Sequence, residues 1–83
     1  MHKYKIELVT ITDIQNFVNV VSSLPGKIML TDGSDFCVNA KSLLGAMATV
    51  EWSELYCVAS EPIYTSIQKF CKKKKKKLNQ ILL

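Results

Sequence analysis

Arginine is absent from the chain, and histidine occurs once, at His2. The first absence removes the planar, bidentate guanidinium that phosphate and carboxylate sites favour. The second leaves almost no imidazole chemistry, because nothing near His2 in sequence would orient or activate it. It reads as an exposed residue beside a fraying terminus. The three cysteines, Cys37, Cys57 and Cys71, are an odd number and form no C-x-x-C pair. A tetrahedral zinc site needs four ligands, usually in paired spacings, and a disulfide scaffold needs an even set, so both are excluded. The thiols read as reduced, which fits a cytoplasmic protein. The three glycines stand singly at 26, 33 and 45, so there is no glycine-rich phosphate loop. No apolar run approaches a membrane span, and the alternating N-terminus is not a secretory signal. No metal, cofactor or catalytic residue is expected, and the chain does not read as an enzyme.

What is present is enough for one folded unit. At 83 residues and 9.4 kDa the chain allows one domain. An apolar content of 48% with 22% charged residues marks it as globular. The formal charge of +4 is unevenly spread, since six of the eleven lysines form one run, Lys72–Lys77. The remainder sets five lysines against seven carboxylates, a balance of −2. The division expected is a folded body over 1–71 and a lysine-rich tail or helix extension over 72–83. The basic character belongs to that tail, so charge alone does not make the body a nucleic-acid binder.

Residues 3–9 alternate with period two, with Tyr4, Ile6 and Leu8 facing a core, which predicts a half-buried strand. Thr12-Asp13-Ile14-Gln15 reads as a capping box, threonine and glutamine satisfying amides reciprocally. Ile14, Phe17, Val18, Val21 and Leu24 then form a helical stripe, ended by Pro25-Gly26. Short apolar runs over 27–31 and 35–39 flank Asp32-Gly33-Ser34, the pattern of a hairpin. Ser42 caps a short helix in which Leu43 and Ala46 are expected to fill the buried side. Gly45 within it is unfavourable by about 1 kcal/mol against alanine. Residues 53–60 predict a fourth strand with Leu55, Cys57 and Ala59 inward, and Trp52 before it is expected to join the core. Pro62 is expected to open a last helix with Ile63, Ile67, Phe70 and Cys71 buried. The order β-α-β-β-α-β-α predicts an α+β fold with a mostly antiparallel sheet and helices on one face. Two topologies share that order: the ferredoxin-like split βαβ and the open-faced β-sandwich.

The segment Val38-Asn39-Ala40-Lys41-Ser42-Leu43-Leu44-Gly45-Ala46-Met47 resembles the regulatory-site motif V-N-x-K-S-I-M-G-V-M of HPr. HPr is the histidine-containing phosphocarrier of the bacterial phosphoenolpyruvate-dependent sugar phosphotransferase system. The element order and lengths agree with that family from the first strand to about Phe70, although only these ten residues carry specific identity. The resemblance implies an HPr-like open-faced β-sandwich, βαββαβα, with a four-stranded antiparallel sheet and three helices on one face. It also implies a protein partner, one belonging to the sugar phosphotransferase system in particular. Docking would run through the short second helix, by way of Leu44 and Met47, with Ser42 at the family's regulatory serine.

The chain departs from the family where the chemistry sits. Carriers have G-x-H-A-R-P-A at the start of the first helix, with histidine accepting the phosphoryl group. The corresponding stretch here is Thr10-Ile11-Thr12-Asp13-Ile14-Gln15-Asn16, which places Ile11 at the histidine and Asp13 at the arginine. An acidic residue replaces the cation and would repel an incoming phosphoryl group. The expectation is a non-carrier relative, a regulatory or protein-binding module. Ser42 has two readings, a helix cap or a phosphorylated site. The alternative function is a peripheral membrane- or RNA-associated protein acting through 72–83. There, lysines meet anionic lipid or RNA and Leu78, Ile81 and Leu82 add an apolar half. No aromatic is interleaved with the lysines, so no specific nucleic-acid readout is expected.

Overall fold

The computed structural model describes residues 1–71, and the lysine run with the apolar residues after it lies outside the described residues. β1 (His2–Lys5) leads to α1 (Ile11–Ser22), then to the hairpin of β2 (Ile28–Thr31) and β3 (Cys37–Asn39). α2 (Leu43–Met47) runs into a 3-10 turn, Ala48–Glu51, before β4 (Tyr56–Ala59). α3 (Tyr64–Ile67) continues as a 3-10 turn over Gln68–Phe70.

The sheet order is β1-β4-β2-β3, with every neighbouring pair antiparallel. β1 and β2 therefore point the same way with β4 between them, and β3 and β4 do so with β2 between them. Each helical crossover skips one strand. Ile28, Leu30, Cys57 and Ala59 line the inner face of the sheet and are fully or almost fully buried. Ile14, Phe17, Val18 and Val21 of α1 and Ile67 and Phe70 of the α3 segment complete the core. Phe17 and Phe70 meet edge to face at 5.3 Å and 88°, a geometry that aromatic quadrupoles favour. This α+β arrangement, an antiparallel sheet with its helices packed on the inner face, is the layer solution that the element order predicts.

Several boundaries differ from the sequence reading. β1 ends at Lys5, and Ile6 continues only as an isolated bridge to Cys71. The strand cannot extend to residue 9, because the Val9 amide turns away to the Asp13 carboxylate at 3.0 Å. The cap of α1 is Thr10, not Thr12, and its box partner is Asp13, not Gln15. Thr10-x-x-Asp13 and Thr12-x-x-Gln15 overlap in the sequence, and the charged acceptor, nearest the positive helix end, takes the role. Pro62 lies outside α3, whose first residue is Tyr64. Gly26 closes the α1 exit at φ +85°, a conformation that suits glycine.

Candidate functional site

Asn39, Lys41, Ser42 and Gly45, four of the residues that carry the HPr resemblance, have local work in the fold. Asn39 Oδ1 accepts the Lys41 amide at 2.8 Å, turning the chain out of β3. Lys41 reaches back across the molecule, its Nζ donating to the carbonyls of Leu24 at 2.7 Å and Gly26 at 3.1 Å. It thereby holds the segment that leaves α1 against the start of α2. Ser42 caps α2, its Oγ accepting the Gly45 amide at 3.2 Å. Gly45 is favoured by closeness rather than by its dihedral angles. A Cβ there would stand 3.3 Å from the Asn39 carbonyl oxygen and 3.5 Å from Val38 Cβ. That carbonyl also accepts the Ser42 amide at 3.2 Å, so it is not free to move aside.

α2 is five residues long and shows much of itself to solvent. Leu44 is 82% exposed, the most exposed leucine among the described residues. Met47, expected beside it on the open surface, is half-buried and packs against the core. Of the two residues expected to fill the inner side, Ala46 is fully buried but Leu43 remains 42% exposed. Leu43 is the first residue of α2, so it stays partly in solvent although it shares a helix face with buried Ala46. The apolar surface of α2 is thus a Leu43–Leu44 pair bordered by the edge of Met47.

Trp52 is half-buried against the core and stacks on Phe36, with centroids 5.9 Å apart and rings inclined by 20°. Phe36 itself is 58% exposed. The stack was not legible in the sequence, because it joins the hairpin tip to the segment after α2. The Asp32 carboxylate fixes that tip, accepting the amides of Ser34 at 2.8 Å and Phe36 at 3.1 Å.

The N-terminus of α1 carries its own anion. Asp13 Oδ2 accepts the amides of Val9 at 3.0 Å and Thr10 at 3.1 Å, and Thr10 Oγ1 accepts the Asp13 amide at 3.0 Å. Hydrogen bonds from the Thr10 and Val9 backbone hold the Asp13 carboxyl below its ordinary value. Ile11, at the position of the family's phosphoacceptor, is the first residue of α1 and is 49% exposed. It offers no lone pair, and the adjoining amides already serve a carboxylate.

Elsewhere, chemistry-bearing groups are scattered. Among the described residues no cluster of three or more His, Cys, Asp or Glu is placed to hold a metal ion. Burial pushes the Cys57 thiol up to about 12, with the nearby Cys71 adding to the shift. No helix among the described residues is long and apolar enough to cross a membrane. No family model, curated protein or solved structure matches the chain.

Proposed function

We propose that the protein is a small docking module, an HPr-like sandwich that has no phosphocarrier chemistry and engages a protein partner through α2. The observation that carries the reading is Leu44. A leucine 82% exposed on a capped, firmly anchored five-residue helix is apolar surface held in place at no benefit to the core. Ser42, Lys41 and Asn39 fix that helix, so the surface is presented rigidly, which lowers the entropic cost of binding. Half-buried Met47 supplies an adaptable border.

The HPr-like arrangement is supported by the antiparallel sheet with β2 and β4 at its centre, where a ferredoxin-like sheet has β1 and β3. The absence of carrier chemistry is supported by Ile11 and by the Asp13 carboxylate, which takes the Val9 and Thr10 amides just ahead of α1. Capture of partners from the source cell, repeated with Leu44→Ser and Met47→Ser, tests the docking. Loss of the same partner in both variants, with circular dichroism unchanged, is the expected result. Retention of every partner by both variants refutes the assignment to α2.

A further inference from the structure

The two edges of the sheet are finished differently. β1 carries Lys3 and Lys5, and just beyond it Ile6 pairs with Cys71. Lysines and a covering segment are common means of keeping a further strand away from an edge. β3, at the other edge, reads Cys37-Val38-Asn39, with neither a charge nor a proline. Among the described residues β2 is its one partner in the sheet.

The ladder shows which backbone groups of β3 are open. The Asp32 amide donates to the Phe36 carbonyl at 3.3 Å, and the Ala40 amide to the Ile28 carbonyl at 2.9 Å. Antiparallel pairing alternates, so Val38 turns its backbone groups toward β2, whereas Cys37 and Asn39 turn theirs outward. The Asn39 carbonyl accepts the Ser42 amide at 3.2 Å. What remains at the edge is the N–H and C=O of Cys37 and the N–H of Asn39. A donor and an acceptor on one residue are complementary to a second copy of themselves. Phe36, 58% exposed, and half-buried Val38 flank Cys37 on the opposite face of the strand.

We infer that β3 pairs with β3 of a second copy of this chain, antiparallel about a two-fold axis at Cys37. Each Cys37 amide donates to the Cys37 carbonyl of the other copy. An axis at Val38 instead would call on the Asn39 carbonyl, which already serves Ser42. With the axis at Cys37, Phe36 lies opposite Val38 of the second copy, in the closely spaced kind of pair where an aromatic suits a β-branched residue. Asp35 is the sole charged residue between Asp32 and Lys41. It falls opposite Asn39 of the second copy, not opposite another carboxylate. Asn39 Oδ1 accepts the Lys41 amide, which leaves the side-chain nitrogen to donate to that carboxylate. The contact is short, so the dimer is a weak, concentration-dependent one. It uses β3 rather than Leu44 and does not rest on docking through α2.

Sedimentation velocity on the full chain, with a reductant present so that no disulfide contributes, tests the pairing. Cys37 is exposed, and in this register it faces its own counterpart across the axis. The wild type is expected to pass from monomer to dimer as its concentration rises. Cys37→Lys and Cys37→Asp each set like charges face to face, and each alone is expected to associate about tenfold or more weakly. An equimolar mixture of the two sets lysine against aspartate and is expected to dimerise more strongly than either variant alone. That recovery also shows that both variants are folded. A wild type that stays monomeric, variants that associate as the wild type does, or a mixture no stronger than its components overturns the inference.

Discussion

Asp13 and Thr10 hold each other reciprocally: the carboxylate accepts the Thr10 amide at 3.1 Å, and the Thr10 hydroxyl accepts the Asp13 amide at 3.0 Å. This closed loop starts α1, and its carboxylate occupies the helix end where an external anion would otherwise be favoured. Its contribution depends on pH with a definite sign. The folded carboxyl is held below its ordinary value of 3.8 by the two backbone donors. The stabilisation is therefore complete above the unfolded value and is lost as pH falls through the folded one. Thermal melts of wild type and Asp13→Asn should differ most near neutrality and converge in strong acid. A constant difference across that range would show that the charge is not what matters.

Ser42→Ala removes the acceptor for the Gly45 amide and is expected to destabilise by about 1 kcal/mol. Ser42→Asp keeps an acceptor and adds charge at the favourable helix end, so it should recover most of that loss. Denaturant midpoints for the pair check this. Equal loss in both would mean that Ser42 matters for something other than capping.

Gly45→Ala would stabilise an isolated helix by about 1 kcal/mol. Here it is expected to destabilise instead, since the new Cβ would meet a pinned carbonyl oxygen at 3.3 Å. A raised melting temperature would contradict the close approach.

Lys41→Met removes both bonds to the Leu24 and Gly26 carbonyls and is expected to cost about 1–2 kcal/mol. Leu44→Ser, by contrast, should stay within about 0.5 kcal/mol of wild type, because the side chain is solvated. Equilibrium unfolding separates the two, and a large Leu44→Ser effect would return that residue to the core.

Cys37 is exposed, whereas Cys57 is fully buried with its thiol pushed up to about 12. An alkylating reagent at neutral pH should label Cys37 in the native protein and reach Cys57 only on unfolding. Peptide mapping after timed labelling gives the answer directly. Early modification of Cys57 would refute the packing of β4.

The parts of the fold legible in the sequence are those written in short periods. The stripe Ile14, Phe17, Val18, Val21 is buried as its spacing requires, and Leu55, Cys57 and Ala59 alternate inward. Ser42 caps where a serine before an apolar run should. The misplaced cap of α1 came from two overlapping boxes whose local patterns are equivalent until the field of the helix end discriminates between them. The reason for Gly45, the reach of Lys41 to Leu24, and the Phe36–Trp52 stack were not legible. Each joins segments that only the closed sheet brings together. At the candidate site the sequence placed Leu44 on the surface but overstated Met47, since nothing local says how far a five-residue helix is rolled onto its neighbour.

The account rests most heavily on the claim that the mouth of α1 binds its own carboxylate and carries no phosphoryl group. Incubation of the full chain with a phosphoenolpyruvate-driven phosphotransfer system, followed by intact-mass analysis without acid, measures this directly. The account predicts an unmodified mass. Stoichiometric, acid-labile phosphate on the chain would contradict it.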